Sequence, residues 1–387
     1  MLAAPAYFDH NATTPLAREV LAMMSAAMDE VYGNASSIHR TGQQARQELE
    51  TARRRVAALL GCDSKEIIFT SGGTEADNLA ILGAARQAAG RHIVTTAIEH
   101  AAVLNPCAQL EREGFAVTYV RVGGSGVVDP DDIRAALRPD TALISVMHAN
   151  NEIGTLQPVA EIARIARGAG ATFHCDGVQA VGKVPVNVRE LDVDLYSVSA
   201  HKFYGPKGAG ALYVRRGVSL HPLHFGGRHE QGYRPGTENV PGVMGMGKAA
   251  DVARAGLVHE QDRLAQLRDR LEKGITASVP DVVVNGAEAP RLPNTTNICF
   301  RGVEGEAMVI ALDMRGFAVS TGSACSSGAV EPSHVLTAIG LARKDARSTL
   351  RISLGRGNNS AQVDDLIEAV ASAAAVLRRL SPDYVHA

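Results

Sequence analysis

The sequence predicts an α/β protein: a large domain on a mostly parallel mixed sheet, joined to a smaller α+β domain. Three observations carry this reading. Short apolar runs alternate with amphipathic helical stretches from about Pro15 to Val214, the pattern of strands linked by crossover helices. A Gly- and Pro-rich stretch from His221 to Gly247 interrupts the alternation, and a different order of strands and helices follows. The length of 387 residues allows two cores. The division is expected near residue 255, with residues 14–255 in the large domain and residues 1–13 and 256–387 in the small one.

Ala45, Leu49, Ala52, Val56 and Leu59 form a helical stripe that ends at Gly61, a C-cap signal. Glu66 to Thr70 reads as a short buried strand, followed by the turn Ser71-Gly72-Gly73-Thr74 and a helix to Ala89. Further strands are expected at His92–Thr95, Ala116–Val120, Ala142–Val146 and Ala171–Cys175, with helices between most of them. Asp194–Val198 and Ala209–Val214 are joined by a short loop, which predicts an antiparallel pair. Beyond the Gly- and Pro-rich stretch, Leu264, Leu267 and Leu271 mark one face of a long helix expected to stop at Gly274. The chain then reads strand, strand, helix, strand, helix, strand, helix. The last helix is expected to be capped by Ser360 and carries Val363, Leu366, Ile367, Val370 and Leu377.

Composition narrows the function classes. Hydrophobic residues make up 45% and charged residues 21%, as in ordinary globular proteins. A net charge of −2 argues against nucleic-acid binding. Aromatic residues are 4% and Trp is absent, so stacking platforms for single strands are not expected either. The 5 cysteines are odd in number and contain no C-x-x-C pair, so neither a disulfide framework nor an intrinsic metal site is expected. A reducing compartment fits this usage. The first ten residues lack a basic region and a long apolar run, and no stretch is apolar enough to span a bilayer. A cytoplasmic protein without membrane partners is expected.

Four local motifs carry chemistry. Thr70-Ser71-Gly72-Gly73-Thr74-Glu75 lies between a strand and a helix; it is either a tight turn or an anion cradle at a helix N-terminus. His174-Cys175-Asp176-Gly177-Val178-Gln179 ends an apolar strand. There Asp176 either caps the junction or meets a cation, such as a protonated pyridine nitrogen. Ser199-Ala200-His201-Lys202 follows another strand. Lys202 is either a surface lysine or an amine poised for a Schiff base, and Ser199 and His201 alternate so as to share one face. An Asp and then a Lys at successive strand ends match what a pyridoxal-phosphate site demands. Finally, Cys325 sits in Ser320-Thr321-Gly322-Ser323-Ala324-Cys325-Ser326-Ser327-Gly328, a run of small residues. It is either an exposed bystander or a nucleophilic thiolate, whereas Cys175 and Cys299 read as buried.

Together these residues resemble the class V, fold-type I pyridoxal-phosphate-dependent transferases, and within them the cysteine desulfurases of the NifS/IscS type. The resemblance runs from Phe8-Asp9-His10-Asn11-Ala12-Thr13-Thr14 and Gly33-Asn34-Ala35-Ser36-Ser37 to Glu99-His100 and Asn150-Asn151-Glu152. It continues through Ala200-His201-Lys202, Arg234-Pro235-Gly236-Thr237-Glu238-Asn239 and Pro293-Asn294-Thr295. It closes with the Cys325 run, Glu331-Pro332-Ser333-His334 and Arg351-Ile352-Ser353.

The resemblance implies roles for individual residues. Lys202 would hold pyridoxal 5'-phosphate as a Schiff base, His100 would stack on its ring, and Asp176 would pair with its nitrogen. Gln179 would bond the ring hydroxyl, and Asn151 would lie against cofactor and substrate. Gly73, Thr74, Ser199 and His201 would hold the phosphate. Thr237 would reach the phosphate of a second subunit, which implies a homodimer. Asn34, Asn151 and Arg351 would bind the substrate L-cysteine. Cys325 would accept its sulfur as a persulfide and pass it to an iron-sulfur scaffold protein, with which it could share a cluster. The chain ending near Leu380-Ser381-Pro382-Asp383-Tyr384 resembles the nitrogen-fixation form, which implies a role in nitrogenase maturation. His10, Gly73, Gly177 and Pro235 depart from the family pattern. The rival readings are a class V aminotransferase, a selenocysteine lyase, an inactive sulfur carrier and an NTPase. The last is weakest, since no Gly-Lys-Ser/Thr loop is present.

Overall fold

The computed structural model describes residues 6–321, 332–381 and 384. In chain order the elements begin with β1 (Ala6–Tyr7), α1 (Arg18–Glu30), α2 (Arg40–Leu60), β2 (Ile67–Thr70), α3 (Gly73–Gln87), β3 (His92–Thr96) and α4 (Ala101–Arg112). There follow β4 (Ala116–Val120), α5 (Pro130–Ala135), β5 (Thr141–Ser145), α6 (Val159–Ala169), β6 (Thr172–Asp176), β7 (Leu195–Ser199) and β8 (Gly210–Val214). The last third holds α7 (Val240–Ser278), β9 (Val282–Val284), β10 (Thr295–Phe300), α8 (Gly305–Asp313) and β11 (Phe317–Ala318). It ends with α9 (His334–Ala338), α10 (Arg343–Arg347), β12 (Thr349–Ser353) and α11 (Ser360–Leu380).

Seven strands form one sheet in the order β2-β8-β7-β6-β5-β3-β4. β4, β3, β5, β6 and β7 run parallel, while β8 is antiparallel to both β7 and β2. Successive residues of these strands enter opposite cores. Phe69, Val94, Ile144, Val198 and Tyr213 pack in one cluster with α2, α6 and the first half of α7. Ile68, Ile93, Leu143, Leu195 and Leu212 pack in another with α3 and α4. A sheet covered on both faces explains why its strands read as unbroken apolar runs.

A second sheet, β12-β10-β9, is antiparallel. Its core joins Leu271 and Ile275 of α7, Ile298, Leu350 and Ile352 of the strands, and Val363, Leu366 and Val370 of α11. Phe8 from the chain's beginning packs in the same core, and β1 pairs with β11.

Most predicted elements appear within a residue or two, including the left-handed Gly61 (φ 71°) that ends α2. Two expectations are corrected. The long helix does not stop at Gly274, but runs unbroken from Val240 to Ser278. Gly274 is there for contact: a Cβ on it would lie 2.3 Å from Ile367 Cδ1 of α11. The last helix is capped by Asn359 rather than Ser360, because Asn359 and Gln362 close a reciprocal capping box. Among the described residues no helix is long and apolar enough to cross a membrane.

Candidate active site

The carboxyl ends of the central strands converge on one region, where ligands bind in sheets of this kind. β6 ends at Asp176 and β7 at Ser199; Lys202 closes the short turn after β7, and His100 begins α4 after β3. The beginning of the chain crosses the same region. Lys202 Nζ donates to the backbone carbonyls of Asn11 at 2.5 Å and Ala12 at 2.9 Å. Burial, and then the Arg351 charge, pull its pKa down from 10.5 to about 8. A lysine so placed reaches its nucleophilic form near physiological pH.

Asp176 is buried and accepts a hydrogen bond from the Val178 N–H at 2.9 Å. Burial and the neighbouring Asp77 charge raise its pKa to about 6. Behind it lies a closed polar layer. The His174 ring meets Ser145 Oγ at 2.8 Å and Ser197 Oγ at 3.0 Å, and lies 3.5 Å from Asp77 Oδ1. Gly177 follows Asp176 because a Cβ there would strike the buried Tyr196 ring at 2.0 Å. That contact accounts for one of the four departures from the family pattern.

Gly72, Gly73 and Thr74 at the start of α3 border a cavity of about 400 Å³ with Ser199, His201 and Lys207. A side chain at Gly73 would come within 2.7 Å of Val178 Cγ2. The His201 ring meets Thr13 Oγ1 at 3.1 Å, and burial lowers its pKa to about 4. Neutral His201, the N–H groups at the start of α3 and Lys207 suit this cavity to an anion.

Gln179 is buried and donates through Nε2 to the Asn11 carbonyl at 2.9 Å. Arg351, on β12, pairs through Nη2 with Asp9 at 2.7 Å and through Nη1 with the Asn151 carbonyl at 3.2 Å. These contacts bring Arg351 and Asn151 to the Lys202 region. Two expected residues are not brought there. Asn34 is exposed and accepts from its near neighbour, the Ser36 N–H, at 2.8 Å. Thr237 is exposed and does not line the cradle. His100 caps α4 by accepting from Ala102 N–H at 3.1 Å and is itself exposed.

Cys325 lies outside the described residues. The flanks of its segment are described. Ser320 exchanges backbone hydrogen bonds with Arg351 at 2.7 and 3.3 Å. On the other side, Ser333 Oγ donates to buried Glu152 at 2.6 Å, and the His334 ring donates to the Glu99 carbonyl, beside His100, at 2.9 Å. Both flanks are therefore tied to site residues.

Sequence reasoning missed Asn11, Asp9 and Lys183 as parts of this site. Asn11 Nδ2 donates to Thr295 Oγ1 at 2.9 Å and to the Asn151 carbonyl at 3.2 Å, while its own carbonyl serves Lys202 and Gln179. The motif Phe8 to Thr14 marked the segment that holds Asp9 and Asn11 but not their contacts, and nothing marked Lys183.

The sequence profile of the aminotransferase class-V family matches residues 6–366. A protein of Dictyoglomus turgidum named cysteine desulfurase IscS is 49% identical over 378 residues, which cover 97% of this chain and 96% of that protein. A solved NifS-like protein superposes with a TM-score of 0.90 at 37% identity, covering 96% of this chain and all of that one. The structure of SspA in complex with cysteine matches with a TM-score of 0.81 at 38% identity, over 90% of this chain and 98% of that one. The chain thus belongs to the class-V aminotransferase family, in its cysteine desulfurase branch.

Proposed function

We propose that this chain converts L-cysteine to L-alanine and leaves the sulfur as a persulfide on Cys325, for transfer to an iron-sulfur scaffold protein in the cytoplasm. The observation that carries this reading is the joint placement of Lys202, Asp176 and the anion cradle at the strand ends. Their donor set fits pyridoxal phosphate. The cradle at Gly73, Thr74, Ser199 and His201 would take its phosphate, Asp176 its ring nitrogen, Gln179 its ring hydroxyl and Lys202 its aldehyde carbon. His100 would cover the ring. When bound, the cofactor supplies a conjugated, electron-withdrawing system joined to the amino group of the substrate.

The chain's own groups supply the rest. Arg351, held by Asp9 and Asn151, would take the substrate carboxylate. The Lys202 amine, with its lowered pKa, would remove the Cα proton. Asp176, buried, would keep a cationic nitrogen protonated because an uncompensated carboxylate there is costly. The Cys325 thiolate would attack the substrate sulfur. One S–S bond forms, the substrate C–S bond breaks, and alanine takes the released protons, so no external oxidant is needed. Asn34 and Thr237, exposed on one copy, fit a homodimer in which Thr237 serves the partner's phosphate. We assign residues 14–255 to the cofactor-binding unit and residues 1–13 and 256–387 to the unit that carries Cys325, with α7 shared between them.

The purified protein is expected to be yellow with pyridoxal phosphate, and borohydride should fix the cofactor on Lys202. With L-cysteine and a reductant it should release sulfide and alanine in equal amounts, and Lys202→Ala should lose all turnover. Steady transamination with a keto acid, without sulfide, would contradict the reading.

A further inference from the structure

A second lysine lies beside the first. Lys183 is 8% exposed, and its amine donates to Gln179 Oε1 at 2.5 Å and to Asn11 Oδ1 at 3.2 Å. Among the described residues no carboxylate pairs with it. Burial, with Lys202 and Arg351 nearby, holds its pKa well below the ordinary value. A buried amine met only by amide oxygens is expensive to keep. Its retention beside a reactive lysine calls for a use.

The geometry supplies one. The Lys183 amine donates to Gln179 Oε1, and the Asn11 carbonyl can only accept from Gln179 Nε2, at 2.9 Å. A flipped Gln179 amide would set oxygen against oxygen. The same Asn11 carbonyl accepts from Lys202 Nζ at 2.5 Å. Asn11 is fixed in turn, since its Oδ1 accepts from Asn294 Nδ2 at 3.2 Å and its Nδ2 donates to Thr295 Oγ1 at 2.9 Å. Lys183, Gln179, Asn11 and Lys202 therefore form one directed chain of donors and acceptors. The titratable groups around it are Asp9 and His10 from the N-terminal segment, His201 from the turn after β7, Arg351 from β12, Asp176 from β6 and Glu260 from α7. Tyr204 and Arg356 line the same small cavity.

We propose that Lys183 is a positioning residue that locks the Gln179 amide with its N–H₂ end toward the Lys202 side of the site, where it favours an anionic oxygen on the bound ring. This inference rests on the cofactor reading above, in which Gln179 bonds the ring hydroxyl.

A double-mutant cycle on the full chain, loaded with pyridoxal phosphate, tests it. Wild type, Lys183→Met, Gln179→Leu and the double variant are compared by the pH midpoint of the visible absorption band and by the dissociation constant for pyridoxal phosphate. Lys183→Met is expected to raise the midpoint by about one unit and to weaken cofactor binding about tenfold, since a Gln179 amide no longer held in one orientation donates less to the ring oxygen and leaves the adjacent proton easier to hold. In the Gln179→Leu background the same substitution should move both readouts far less. Equal steps in both backgrounds, or none in either, would overturn the inference. Should Lys183→Met fail to fold by circular dichroism, Lys183→Gln takes its place in the cycle. A wild-type chain that takes up no pyridoxal phosphate would overturn the cofactor reading and this inference with it. A yellow wild type with uncoupled steps would overturn this inference alone.

Discussion

Around Asp176 the chain buries more carboxyl groups than it pairs. Asp77 is 1% exposed, and burial raises its pKa from 3.8 to about 7; Glu99 is 0% exposed and rises to about 8. Between pH 4 and 7 the folded chain keeps a proton on Asp77 that the unfolded chain has released. Asp77 therefore costs stability as pH rises through that window, and the cost is complete above about pH 7. Asp77→Asn has the same shape and cannot ionise. Its urea midpoint is expected to gain on wild type steadily from pH 4 to 7.5, with the smallest difference at pH 4. Parallel profiles would contradict the assignment. At this scale the sequence revealed residues whose position alone is telling. Asp176 and Lys202 stand at strand ends that apolar runs mark. Asp9, Asn11 and Lys183 were hidden because their partners are distant in the chain. Asn11 meets Lys183 across 172 positions, and Asp9 meets Arg351 across 342. No local pattern encodes such a contact.

At the scale of elements, two close contacts set the frame. Helix α7 serves the large-sheet core with Val243, Met246 and Ala250, and the small-sheet core with Leu271 and Ile275. A helical stripe was legible only in its second half, since the first half, between Val240 and Ala253, is mostly buried and carries only Lys248 and Asp251 as charged residues. Gly274→Ala would force a methyl against Ile367. It is expected to cost about 1–3 kcal/mol by urea unfolding, and Ile367→Ala in the same chain should recover part of that loss; no recovery would contradict the packing account. The segment before α7 is held differently. Glu230, in the left-handed region at φ 44°, receives both Arg53 terminal nitrogens at 2.7 Å and the Phe69 N–H at 2.8 Å. Phe69 lies on β2, just before the anion cradle. Breaking such a buried pair leaves a charge without its partner, so Glu230→Gln is expected to cost about 3–5 kcal/mol. A loss below 1 kcal/mol in urea unfolding would contradict this.

For the whole molecule, the fold class was readable because the alternation of strands and helices is a property of long stretches rather than single residues. The two-sided burial of the large sheet follows from strands apolar on both faces. The sulfur-transfer reading joins parts from three regions: Lys202 and Asp176 at the large sheet, Arg351 on the small one, and Cys325 between flanks tied to Arg351 and Glu99. The most direct test is Cys325→Ala, assayed with L-cysteine and a reductant beside the wild type. This variant should stay yellow and change its absorption spectrum on binding cysteine, yet release no sulfide. Sulfide release at the wild-type rate would contradict the account.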